Sequence, residues 1–274
     1  MNTIRSSEHR PSVLVITGYG FNCEAESITA WRMAGADPRP LHFADLIASP
    51  DALTTARALM FIGGFSFGDH MGSGHVIASR LRHRLRPVLE EYLAAGGLVL
   101  GICNGFQILA NLGLVPAFGR TPAREIALMP NRKGVLECRF VTLKPASENL
   151  WTRGISHLYC PVSHGEGNFY CTDETLNRLE SGGMVAFTYC RDDLGPANGE
   201  FPYNPNGSRA DIAGITSEDG KVLGMMPHPE RAMEFVNLYD WPLMKEKLVR
   251  EGKPLPSESV NMRLFHNIVD FFRG

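Results

Sequence analysis

The sequence predicts an α/β fold with a mostly parallel central sheet and an antiparallel addition. Two observations carry that expectation. The first half alternates short apolar, β-branched runs with helical stretches, at a spacing that suits right-handed crossovers into a parallel sheet. The second half strings extended runs together with turns instead of helices. With no internal repeat and no clear linker, residues 12–274 are expected to form one domain behind a polar extension, residues 1–11.

The elements follow in order. "SVLVITG" (12–18) is a β-branched run closed by glycine, as a buried strand would be. "NCEAESITAWRMAGA" (22–36) is helical, with Asn22 placed to cap it, Glu24 and Glu26 in the first turn and Gly35 to stop it. "PRPLHF" is a second extended piece and "ALMFIGG" a third strand. Residues 73–97 are helical in pattern, bent or broken near Pro87. "LVLGI" is a fourth strand with a helix, "NGFQILANLG", leaving it. Further on, "LECRFVTL", "HLYCPV" and "MVAFTYC" are extended, and "ADIAGITSEDGKVLGMM" forms a hairpin turning at Asp219-Gly220. Residues 191–208 are rich in turn formers and are expected to be loop. A last helix, 260–272, sets Met262, Phe265, Ile268 and Phe272 near one face.

Composition excludes several classes. The 27 basic and 29 acidic residues are mixed along the chain, without the basic stripe of a nucleic-acid surface. No apolar run approaches the roughly 20 residues of a membrane span. The polar start "MNTIRSSEHRP" lacks the apolar core of a secretory signal, so a cytoplasmic protein is expected. Six cysteines without a CxxC pair read as free thiols of a reducing compartment. No metal site is expected: His70 and His75 lie in a Gly-rich stretch with no cysteines spaced around them. The sequon Asn206-Gly207-Ser208 carries no weight without a secretory route.

Three stretches carry chemistry. In "GICNG", Cys103 sits between Gly101 and Gly105 at a strand-to-helix junction, the cysteine form of a nucleophile elbow. The glycines let the turn close, the helix N-terminus favours a negative sulfur, and the Asn104 amide is placed to hold an oxyanion. The plainer alternative is a small buried hydrophobe. In "GMMPHPER", His228 and Glu230 lie two apart after an apolar strand, so that an extended chain points both the same way. There His228 can act as base and Glu230 can orient its ring, although a solvated loop is the alternative. In "IGGFSFGD" the paired glycines allow Gly64 or Phe65 to offer a second oxyanion amide. Gln107, one turn into the elbow helix, is a candidate for positioning substrate. So are His164, Glu166 and Asn168 in "HGEGN", expected on a loop.

With these residues in view, the chain resembles the triad-type (class I) glutamine amidotransferases through "GICNGFQ" and "HPE". Within them it is similar to the glutaminase subunits of phosphoribosylformylglycinamidine synthases. That likeness rests on "GGFSFGD", "SGHVIASR", "SHGEGNFY", "NPNGSRADIAGI" and "LGMMPHPER". The resemblance implies a three-layer sandwich, Cys103 as nucleophile with His228 and Glu230 completing a triad, and glutamine as nitrogen donor. It implies no cofactor in this chain. ATP and magnesium would belong to a synthetase partner that acts on formylglycinamide ribonucleotide, in some assemblies beside a small accessory subunit. The opening "TGYGFNCE" keeps only Asn-Cys of the usual motif, and residues 191–203 and 234–260, read as loops, look long for such a subunit. Two rivals stand beside this: another elbow cysteine hydrolase, such as a peptidase or γ-glutamyl hydrolase, and a non-catalytic binding subunit.

Overall fold

A computed structural model describes residues 10–119 and 123–274. Residues 1–9, most of the expected polar extension, lie outside the described residues. In chain order the main elements are β1 (Ser12–Thr17), α1 (Glu24–Met33), β2 (Asp37–His42), α2 (Phe43–Ala48), β3 (Ala58–Phe61), α3 (His75–Arg84), α4 (Arg86–Ala94), β4 (Leu98–Ile102) and α5 (Asn104–Leu112). Then come β5 (Ile126–Pro130), β6 (Glu137–Pro145), β7 (Leu158–His164), β8 (Glu166–Cys171), α6 (Asp173–Ser181), β9 (Val185–Cys190), β10 (Ile212–Thr216), β11 (Val222–Met225), α7 (Trp241–Arg250) and α8 (Arg263–Arg273).

Nine strands form one sheet in the order β2-β1-β3-β4-β11-β10-β9-β6-β7, and β5 pairs with β8 in a separate ribbon. From β2 to β11 every pair is parallel. From β11 to β7 every pair is antiparallel. The strand β11 therefore joins the two halves. The central strands are buried along their whole length, which is why they read as continuous apolar runs. Pro38 and Pro40 are accommodated in β2 because it is the sheet's edge strand. Helices cover both faces: Trp31 of α1 packs edge-on against Phe265 of α8, while α5 lies across β4 and β11.

Three expectations need correction. The residue at the start of α1 is Cys23 and not Asn22, and no side chain caps that helix. The "HGEGN" stretch is not a loop: His164 closes β7, and Glu166 and Asn168 lie in β8. The segment 234–260 is not simply loop either, since Trp241–Arg250 is helical, with Pro242 in its first turn where the missing N–H costs nothing. The break near Pro87 falls at Leu85, between α3 and α4.

Candidate active site

Cys103 occupies the sharp turn from β4 into α5 with φ 53° and ψ −107°, a backbone state that costs a non-glycine residue roughly 1–3 kcal/mol. The surroundings over-determine it. Its N–H donates to the Met225 carbonyl of β11 at 2.8 Å. Gly101 and Gly224 stand opposite each other in the β4–β11 register, and α5 rests directly on both. A Cβ on Gly101 would lie 2.5 Å from Leu109 and 2.7 Å from the Gly105 backbone, and one on Gly224 would lie 2.1 Å from the Phe106 ring. Gly105 is tighter still, 2.0 Å from the Phe61 carbonyl. The glycines thus bring helix and sheet together beneath the sulfur, which fixes its height above the strand ends.

His228 follows β11, the parallel neighbour of β4, so Cys103 and His228 leave adjacent strand ends. The pair His228–Glu230 is made by a short 3-10 turn, Pro229–Arg231, and not by an extended chain as expected. The turn brings His228 Nδ1 to 2.6 Å from Glu230 Oε1, with both side chains buried. Burial opposes a charged ring, but the Glu230 carboxylate, with the sulfurs of Cys103 and Cys23 beside the ring, outweighs it, so the His228 pKa lies well above the ordinary value. Its Nε2 is buried without a hydrogen-bond partner among the described residues. Strand β7, although last in the strand order, returns to this corner. The His228 N–H donates to the Pro161 carbonyl at 2.8 Å, and the Cys103 sulfur lies 3.9 Å from the Ser163 carbonyl.

On the oxyanion side, the Phe65 amide is already committed to the Gly20 carbonyl at 2.9 Å, which removes it as a donor. The Gly64 and Asn104 amides make no such bond among the described residues. Gly63 has a different task from the one its motif suggests. A Cβ there would lie 2.5 Å from His228 Cε1 and 3.0 Å from Cys23 Sγ, so the glycine gives the His228 ring its room. The Asn104 side chain ties this loop to the elbow, accepting from the Ser66 amide and donating to Asp69 and to Gln107 Oε1. Gln107 in turn donates to the Glu166 carbonyl at 2.6 Å. Gln107 and Glu166 line a cavity of about 280 Å³ together with Ser73, His75 and Arg124.

His164 and Asn168 do not line that cavity. His164 is buried, with Nδ1 3.0 Å from Asn131 Oδ1, and burial, helped by the nearby His228, lowers its pKa to about 3. Asn168 pairs with Met129 in the β5–β8 ribbon. Sequence reasoning missed three contributors: Asn131, which holds His164; Asp69, which holds Asn104; and Cys23, whose sulfur lies 3.8 Å from His228 Nδ1. Asp69 stands in a turn-rich stretch and Asn131 beside Pro130, so neither position signals a partner in sequence.

The arrangement suits acyl transfer through sulfur, and comparison with known proteins narrows it. The family model of a CobB/CobQ-like glutamine amidotransferase domain matches residues 10–272. The phosphoribosylformylglycinamidine synthase subunit PurQ of Methanococcus maripaludis strain S2 is 41% identical over 265 residues, covering 96% of this chain and 97% of that one. The PurQ subunit of Dehalococcoides mccartyi is 36% identical over 262 residues, covering 95% of this chain and 97% of that one. Among solved structures, a chain of PurLQS from Thermotoga maritima superposes with a TM-score of 0.68 at 26% identity, covering 96% of this chain and 100% of that chain. A glutamine amidotransferase domain over nearly its whole length, this chain belongs to the family of PurQ subunits of phosphoribosylformylglycinamidine synthase.

Proposed function

We propose that this chain hydrolyses glutamine at a Cys103–His228–Glu230 triad and supplies the ammonia to a separate synthetase subunit. That subunit would amidate formylglycinamide ribonucleotide in purine biosynthesis, as the names of its relatives suggest. The observation that carries the reading is the corner at the ends of β4 and β11. There an elbow cysteine meets a buried histidine held at 2.6 Å by a buried carboxylate.

The Cys103 thiolate attacks the side-chain amide carbon, and the C=O electrons move to oxygen. The Gly64 and Asn104 amides receive that oxyanion, each such donor being worth about 10²–10³ in rate. Collapse expels the amide nitrogen, which takes a proton from His228 and leaves as ammonia. The His228 ring then removes a proton from water as it attacks the thioester, and Cys103 is released with glutamate as product. Because Glu230 keeps the ring protonated, the acid needed for the leaving nitrogen is present before attack. The cavity beside Gln107 and Glu166 is the place offered for the amino-acid end of glutamine. ATP and magnesium are assigned to the synthetase, where an accessory subunit can join the assembly.

The test separates the two chemistries. Cys103→Ala is expected to abolish glutamine-dependent product in the assembled enzyme while product still forms from ammonium chloride. Equal failure with both donors, in a complex shown to be intact, would end the proposed division of labour. The isolated chain is expected to be a weak glutaminase that is stimulated when the synthetase binds its substrates.

A further inference from the structure

We propose that Cys23, His228 and Glu230 form a site for a thiophilic divalent cation such as zinc, and that its occupancy silences the catalytic base. Cys23 begins α1 and is separated from His228 by 205 positions in sequence, yet its sulfur lies 3.8 Å from Nδ1. One ligand atom from each of the three residues fits within 4.8 Å, and all three residues are buried. Among the described residues no other group of three such side chains comes this close.

The donor set is that of zinc: thiolate sulfur, imidazole nitrogen and carboxylate oxygen, bonded at about 2.0–2.3 Å. A tetrahedron with such bonds has edges of roughly 3.3–3.8 Å. The Cys23–His228 spacing already matches one edge, and the 2.6 Å His228–Glu230 contact has to open by less than about 1 Å. Glu230 Oε2 is buried with no hydrogen-bond partner among the described residues, so a second carboxylate oxygen stands ready.

Inhibition by the ion rests on the triad described above, because the cation takes the nitrogen through which Glu230 holds the ring. Binding does not rest on it, and the experiment separates the two. Full-length Cys103→Ala protein, titrated with cadmium, is expected to take one equivalent with thiolate-to-metal charge-transfer absorption. Adding Cys23→Ser, with folding checked by thermal melting, should weaken binding by at least the roughly 10–100-fold that losing even an outer partner costs. In protein with Cys103 intact, zinc inhibition of glutamine hydrolysis should shift by a similar factor on Cys23→Ser. Binding that survives Cys23→Ser, or that disappears with Cys103→Ala or with replacement of the exposed Cys138, overturns the site. Cadmium binding at Cys23 in a protein whose glutaminase activity ignores zinc would retain the site and refute its effect on the base.

Discussion

Two buried histidines, His164 and His228, lie close enough to affect each other, and each is 2% exposed. Both direct Nδ1 at a side-chain oxygen, and both leave Nε2 without a partner among the described residues. Their protonation differs completely. His164 faces the neutral amide of Asn131 and burial keeps it uncharged, whereas His228 faces the carboxylate of Glu230 and holds its proton. The Glu230 carboxylate, with the Cys103 and Cys23 sulfurs beside it, raises the His228 pKa against burial, and His228 further lowers that of His164.

The largest expected effect separates the rings by function. His228→Gln should reduce glutamine hydrolysis by about 10³-fold or more, within the span of acid–base catalysis, while His164→Gln should cost less than about tenfold. Equal losses would erase the contrast. Next comes the partner. Glu230→Gln should lower the rate by about 10–100-fold and move the ionisation of His228 in the pH–rate profile toward acid. An unmoved profile would remove Glu230 from the triad.

The smallest effects are on stability. Below about pH 6.5 an unfolded chain protonates His164, but the folded chain resists down to about 3. Stability therefore falls in that window by up to roughly 1.4 kcal/mol per pH unit, and His164→Gln should flatten the slope in denaturant titrations. His228 works in the opposite sense. Its raised pKa contributes stability that is fully present below about 6.5 and is lost as pH climbs through the folded value. Glu230→Gln should remove that alkaline loss while leaving the acid slope in place.

What was legible in the sequence follows from range of interaction. The elbow could be read because Gly101, Cys103 and Gly105 are local, and the glycine spacing states the turn's steric demand directly. The helices after β1 and β4 could be read from their apolar spacing and their stops. The β5–β8 ribbon was harder: its strands are half exposed, and Gly167 interrupts β8, so "HGEGN" looked like a loop. The His228–Glu230 pair was found for a partly wrong reason, since a turn and not an extended strand aligns them. Phe65 was offered as a donor because its hydrogen bond to Gly20 depends on a loop more than 40 positions earlier. The Asn-Cys of the opening motif marked Cys23, but its place beside His228 carried no signal, because only the folded chain brings the two together.

The position of β11 has a consequence for the order in which the protein is made. Everything that shapes the nucleophile's turn on one side, from β1 to α5, lies within residues 12–112, and synthesis delivers it early. The strand that supplies the other wall, the Met225 carbonyl that anchors Cys103 and His228 itself all come after residue 221. A ribosome-bound chain of about 200 residues therefore presents a cysteine with neither its anchor nor its histidine. By the triad proposed above, a chain that stops before β11 lacks its acid and base, and such a truncated product is expected to hydrolyse no glutamine.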